Sequence, residues 1–134
     1  MSSQPSANSS IKKDFNIFIK FFEEKFSQNI INIFYAKFSY KDYKNLGCLL
    51  VIGSTNLKIY PLQKEENDEP TKEITLKYEE VKLISTYNKN YELILLDYDG
   101  DEVAIYTIQR DSIVEQIKVA LDEFHFPCYN YLTK

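Results

Sequence analysis

A chain of 134 residues is enough for one domain with a real core and too short for two. Its 44% apolar and 15% aromatic content, with nine Phe and eleven Tyr but no Trp, supplies large rings to fill one small barrel or sandwich. The net charge of −4 argues against nucleic acid as a partner, and no apolar run is long enough to cross a bilayer.

Charge is divided unevenly along the chain. Residues 1–60 hold eight lysines against four carboxylates, a balance of +4, while the remainder carries eight basic groups against sixteen acidic ones. A module polarised in this way can set a basic face on an anionic surface. Residues 1–9 are Ser-rich with Pro5 and have neither the basic start nor the apolar segment of a secretory signal, so a disordered tail on a cytoplasmic protein is expected. In that compartment Cys48 and Cys128 are expected as two free thiols.

From residue 10 to 26 the apolar residues Ile11, Phe15, Phe18, Ile19, Phe22 and Phe26 recur at helical spacing, which predicts an amphipathic helix. Ile17 and Phe21 fall beside that stripe, opposite the Lys12, Asn16, Lys20 and Glu23 face. Either a deep groove swallows the whole helix, or these two side chains touch a protein partner beyond the core.

Alternation predicts the first strand over residues 31–40, with Phe34, Ala36, Phe38 and Tyr40 on one face and Tyr35, Lys37 and Ser39 on the other. Residues 42–46 read as a polar turn and 48–52 as a short buried strand. After the Gly53 to Asn56 turn, residues 57–62 alternate again, with Leu57 and Ile59 inward and Lys58 and Tyr60 outward. Residues 63–72, rich in Lys, Glu and Asn, read as a solvated loop. Strands follow at 74–78, 81–85, 92–98 and 103–108, the last two joined by an Asp99-Gly100 turn. Seven strands with short connections predict an antiparallel meander.

Residues 111–124 read as a closing helix with an apolar stripe of Ile113, Ile117, Ala120, Leu121 and Phe124. Ser112 to Glu115 has the form of a capping box, and Pro127 is expected to stop the helix. Such a helix can plug the open end of a bent sheet, at about 2 kcal/mol gross per large side chain buried.

This order of elements resembles a pleckstrin-homology (PH) domain. The stretch Leu49-Leu50-Val51-Ile52-Gly53-Ser54-Thr55 to Asn56-Leu57-Lys58-Ile59-Tyr60, followed by Ile74-Thr75-Leu76-Lys77-Tyr78-Glu79-Glu80-Val81 and ending at Phe126-Pro127, resembles the N-terminal PH-like domain of CARMIL-type leucine-rich-repeat adaptors. The expected fold is thus mainly β within the α+β class: a PH-like seven-stranded antiparallel bent sandwich or barrel, closed by a C-terminal helix and carrying an extra N-terminal amphipathic helix. Residues 10–127 would form the domain and 128–134 a linker to a following one.

The resemblance implies a non-enzymatic module that binds phosphoinositides or acidic phospholipids and recruits an actin-regulatory adaptor to the plasma membrane. Phosphoinositide-binding PH domains place a basic residue near the end of the first strand, another in the second and a Tyr in the third. Lys37, Lys41, Lys44, Lys58 and Tyr60 are the matching candidates, although the second strand, read as 47–52, holds no basic residue. Such a site requires the lysines to converge at one open end of the barrel. The alternative is a protein-interaction module without lipid binding, using Ile17 and Phe21 or a strand edge.

No catalytic constellation, metal site or cofactor is expected. His125, flanked by Phe124 and Phe126, reads as a helix-end residue; there is no zinc-ligand spacing and no glycine-rich phosphate loop. Asp97, Asp99 and Asp101 surround a turn without the ligand spacing of a calcium loop.

Overall fold

A computed structural model describes residues 17, 19–62, 72–124 and 129–134. Its centre is β1 (Ile30–Tyr40), whose even-numbered residues Phe34, Ala36 and Phe38 are buried while Tyr35 and Lys37 face outward. β1 pairs antiparallel with β2 (Tyr43–Gly53), and the meander continues through β3 (Asn56–Pro61) and β4 (Ile74–Lys77). A 3-10 turn over Tyr78–Glu80 leads into β5 (Val81–Thr86), β6 (Leu93–Tyr98) and β7 (Asp101–Tyr106), and β7 pairs back onto β1 at residues 37–39.

The strand order is β4-β3-β2-β1-β7-β6-β5-β8. The ladder therefore has two free ends and does not close into a barrel. It bends into two half-sheets, β1 to β4 and β5 to β8, whose inward side chains meet in one core with Phe38, Leu50, Ile59, Ile84, Leu96 and Ile105 fully buried. Asp99 and Gly100, both at positive φ (48° and 84°), make the expected two-residue turn between β6 and β7.

Helix α2 (Arg110–Glu123) lays Ile113, Val114, Ile117, Ala120 and Leu121 on this core as the expected plug. Its start differs from the sequence expectation. The helix begins at Arg110 behind Gln109, with no side-chain cap, and the Ser112 hydroxyl accepts from Gln116 Nε2 instead of closing a capping box. Arg110 sets the boundary: its guanidinium donates to the Tyr87 carbonyl at 2.8 Å and the Asn90 carbonyl at 3.0 Å, which staples the β5–β6 connection to the helix entry.

Two further expectations are corrected. The eighth strand, β8 (Asn130–Thr133), lies where a linker was expected and pairs parallel with the edge of β5. β2 begins at Tyr43 rather than after residue 46, because Asn45 adopts a positive φ of 51° and takes up one extra residue as a bulge opposite Ser39. Asn tolerates that conformation, and its backbone N–H donates to the Ser39 hydroxyl at 2.9 Å. β2 consequently does carry a basic residue, Lys44.

Helix α1, described over residues 19–26, lies on the outer face of the first half-sheet and not in the main core. Phe22 is its anchor, buried against Ile30, Ile33 and Val51, stacked on Phe26 at 5.3 Å and edge-on to Tyr60 at 5.5 Å. Phe18, the first turns of the expected helix, the 63–71 loop, His125, Pro127 and Cys128 lie outside the described residues. Among those described, no helix is long and apolar enough to cross a membrane.

Candidate functional site

The two sets of candidate residues meet opposite fates, which the sheet register explains. Outward positions on β1, β2 and β3 form rows across the first half-sheet: Ile33, Val51 and Lys58 in one, Tyr35, Leu49 and Tyr60 in the next. α1 packs over these rows except at Tyr35, so several residues that read as solvent-facing from their strands are roofed by the helix.

Lys58 is the clearest case. Only 8% of it is exposed, its Nζ donates to Thr75 Oγ1 on β4 at 2.6 Å, and it sits 4.8 Å from the Phe26 ring centroid. Burial holds its pKa below the ordinary lysine value, with Glu73 pulling the other way. Tyr60 is packed against Phe22, with Lys25 over its ring at 5.7 Å. Lys58 is thus buried under α1, and Tyr60 is half-buried beside it.

The remaining lysines are spread over a different region. Lys41 occupies the β1–β2 turn at a φ of 52°, next to the Tyr40 ring, with Nζ 4.0 Å from Asp101. The Tyr40 hydroxyl first, and then Asp101 and Asp99, hold its pKa above the ordinary value. Lys44 follows on β2, exposed. Lys58 lies opposite Val51, seven residues further along β2, which at ~3.3 Å per residue is about 23 Å away. Lys37 faces outward between Gly47 on β2 and Tyr106 on β7. The four lysines thus do not converge at one end, and the turn that carries Lys41 stands beside the acidic β6–β7 turn.

The N-terminal candidates are displayed. Ile17 is 65% exposed and Phe21 51%, while the neighbouring Phe22 is buried to 2%. Phe21 packs edge-on against Phe22 at 5.2 Å, so its ring is braced although its outer side is bare. The outer face continues over Tyr35, 59% exposed, whose ring lies across Gly47 where a larger residue would crowd it. Beyond it a cleft of about 250 Å³ opens between Tyr35, Lys37, Glu92, Tyr106 and Ile108.

Sequence reasoning missed Tyr35, Tyr106 and Ile108. Strand alternation puts Tyr35 on the outward face, and an aromatic there is a signal. Ile108 read as the end of the seventh strand, but β7 stops at Tyr106 and leaves Ile108 87% exposed. Among the described residues no group of three or more His, Cys, Asp or Glu side chains is placed to hold a metal ion. Cys48 is fully buried, and burial pushes its thiol up to about 12.

No protein-family model and no curated protein matches the sequence. Solved structures do. The C-terminal domain of an unknown protein from Leishmania infantum is similar at a TM-score of 0.60 and 14% identity, over 79% of this chain and 95% of that one. The hSac2 domain from the human phosphoinositide phosphatase Sac2 is similar at a TM-score of 0.64 and 10% identity, over 95% and 89%. The FERM and C-terminal domain complex of Drosophila Merlin gives a TM-score of 0.49 and 16% identity over 69% and 30%. The likeness to the Sac2 domain puts the fold among the PH-like folds, and at these identities it speaks for fold alone.

Proposed function

We propose that the chain is a non-enzymatic PH-like interaction module that docks a protein partner through the outer ridge of α1. The observation that carries this reading is the contrast between Phe22, sealed against the sheet, and its bare neighbours Phe21 and Ile17. Large apolar side chains held rigidly at the surface are the usual anchors of an interface. Tyr35 extends the same surface across the first half-sheet.

Membrane recruitment, with the CARMIL-type adaptor role that the strand pattern resembles, is the second reading. It is favoured by Lys37 and Lys44, both exposed and without a hydrogen-bond or ion-pair partner among the described residues. Against it stand the roofed Lys58 and the acidic neighbours of Lys41.

Affinity capture and vesicle co-sedimentation together separate the two. Ile17→Glu with Phe21→Glu should abolish capture of a specific partner while vesicles containing phosphatidylserine or phosphoinositides leave the protein in the supernatant at physiological salt. Sedimentation with those vesicles that disappears on Lys37→Glu with Lys44→Glu would overturn the protein-docking reading.

A further inference from the structure

The second half-sheet has an outer face that no described element covers, and its chemistry is unlike that of a solvated sheet. β6 is apolar on both sides: Ile94 and Leu96 are buried in the core, while Leu93 and Leu95 point outward and are only half-buried. In an antiparallel sheet with one wet face, outward positions alternate to polar. Here the outward row across four strands is Leu132, Ser85, Leu95 and Ala104, without a single charge. A trough of about 240 Å³ runs over Leu83, Ser85 and Leu95, with the small Ser85, 2% exposed, at its bottom between the two half-buried leucines.

One end of this trough is acidic. The next row carries Asp97 and Glu102 directly opposite each other on β6 and β7, both exposed, and Asp101 stands at the adjoining turn. Lys41 stands 4.0 Å from Asp101, with both side chains more than half exposed. The other end is closed by Tyr87 and Lys134, whose Nζ lies 5.7 Å from the Tyr87 ring centroid.

These features select the occupant. Phosphate-bearing ligands, lipid or nucleic acid, are repelled by the acidic rim. The trough is smaller than the roughly 300 to 1,000 Å³ of small-molecule sites, so it suits a few side chains and not a whole cofactor. Half-buried leucines, Leu83 and Leu95, beside paired carboxylates suit a segment with an apolar ridge and Lys or Arg at one end.

We infer that the outer face of β5, β6 and β7 is a second docking surface, which takes a basic amphipathic segment of a partner protein. The apolar ridge lies along Leu83 and Leu95, over the buried Ser85, and its cations pair with Asp97 and Glu102. This surface lies on the half-sheet that α1 does not cover, so it is independent of the α1 ridge.

A fluorescein-labelled amphipathic Leu/Lys 14-residue peptide and its Leu/Glu counterpart, titrated with the full chain by fluorescence polarisation, provide the test. The Leu/Lys peptide should bind, and more weakly as salt is raised. Asp97→Asn with Glu102→Gln, or Leu95→Thr alone, should weaken binding at least tenfold. The control Glu115→Gln with Glu123→Gln removes the same charge from α2 and should change nothing, as should Ile17→Glu with Phe21→Glu. Thermal melts of each variant exclude loss of fold as the cause. The inference fails if the Leu/Lys peptide does not bind, if the Leu/Glu peptide binds equally well, or if the α2 control weakens binding as much as the trough variants.

Discussion

Lys58 donates its ammonium to the Thr75 hydroxyl at 2.6 Å across the β3–β4 ladder, beneath the Phe26 ring. A residue that strand alternation turns toward solvent is thereby made part of the contact between α1 and the sheet. Its aliphatic stem packs, and its charge is met by one hydroxyl and an aromatic face.

Lys58→Met keeps the stem and removes the charge, so its unfolding free energy in urea should stay within about 1 kcal/mol of wild type. Lys58→Glu puts a carboxylate under Phe26 and near Glu73, and should cost about 2 kcal/mol or more. A wild-type urea midpoint for Lys58→Glu would show that the α1 roof does not hold this residue.

Alkaline pH should weaken the fold from about pH 9 upward. Burial raises the Cys48 thiol from 9.0 to about 12 and also raises the Tyr78 hydroxyl, which donates to the Gly53 carbonyl. The folded chain keeps these protons after the unfolded chain has lost them. Their contribution is complete below the unfolded values and is lost as pH rises, for Cys48 at up to about 1.4 kcal/mol per pH unit between 9 and 12. Lys58 acts in the opposite sense: its depressed pKa means that the unfolded chain binds the proton more readily, so stability rises with pH below 10.5. Urea midpoints at pH 8 to 11 should fall, more steeply in Lys58→Met and later in Cys48→Ala. With Cys128→Ser as background, Cys48 should resist thiol reagents until denaturant is added.

Gln28 and Gly53 should behave as one unit. The Gln28 Oε1 accepts from the Thr55 amide at 3.0 Å, the Thr55 hydroxyl at 2.6 Å and the Asn56 amide at 3.1 Å, tying the chain before β1 to the β2–β3 turn. A methyl group at position 53 would come within 2.3 Å of the Gln28 amide carbon. Gly53→Ala and Gln28→Ala should each cost about 1 to 3 kcal/mol, and the double variant clearly less than their sum. Simple additivity in the double-mutant cycle would refute the shared network.

The two hydrophobic clusters should differ in the same experiment. Ile117→Ala removes the centre of the α2 plug and should cost about 2 to 5 kcal/mol, and Ile117→Asp should unfold the domain. Phe22→Ala should cost about 3 to 5 kcal/mol through the outer cluster, whereas Phe21→Ala, half exposed, should cost about 1 kcal/mol or less. Equal losses at Phe21 and Phe22 would mean that α1 packs with its other face.

β1, β3 to β7 and α2 are legible in the residues because their periodicity is local: Phe34, Ala36 and Phe38 alternate, and Ile113, Ile117 and Leu121 recur every four residues. The displayed pair Ile17 and Phe21 is legible for the same reason, since it stands outside a helical stripe. β8 is not legible. Its four residues are all exposed and carry no pattern of their own, and the β5 edge supplies their pairing. Asn45 misleads in a related way: a bulge within a long hairpin looks locally like the end of a strand.

Composition and periodicity by themselves thus determined a run of short strands with a closing helix, an order that resembles a PH domain, because short-range alternation decides which residues can share a core. Only the tertiary structure decided which outward residues stay outward. Lys58 and Tyr60 on one half-sheet and Leu93 and Leu95 on the other have equivalent places in their strands. α1 packs over the first pair and no described element over the second, because contacts between elements distant along the chain leave no trace in the pattern of either strand. The lysines suggested a lipid site by their number; their separation of about 23 Å along β2 and the Asp101 beside Lys41 belong to the fold.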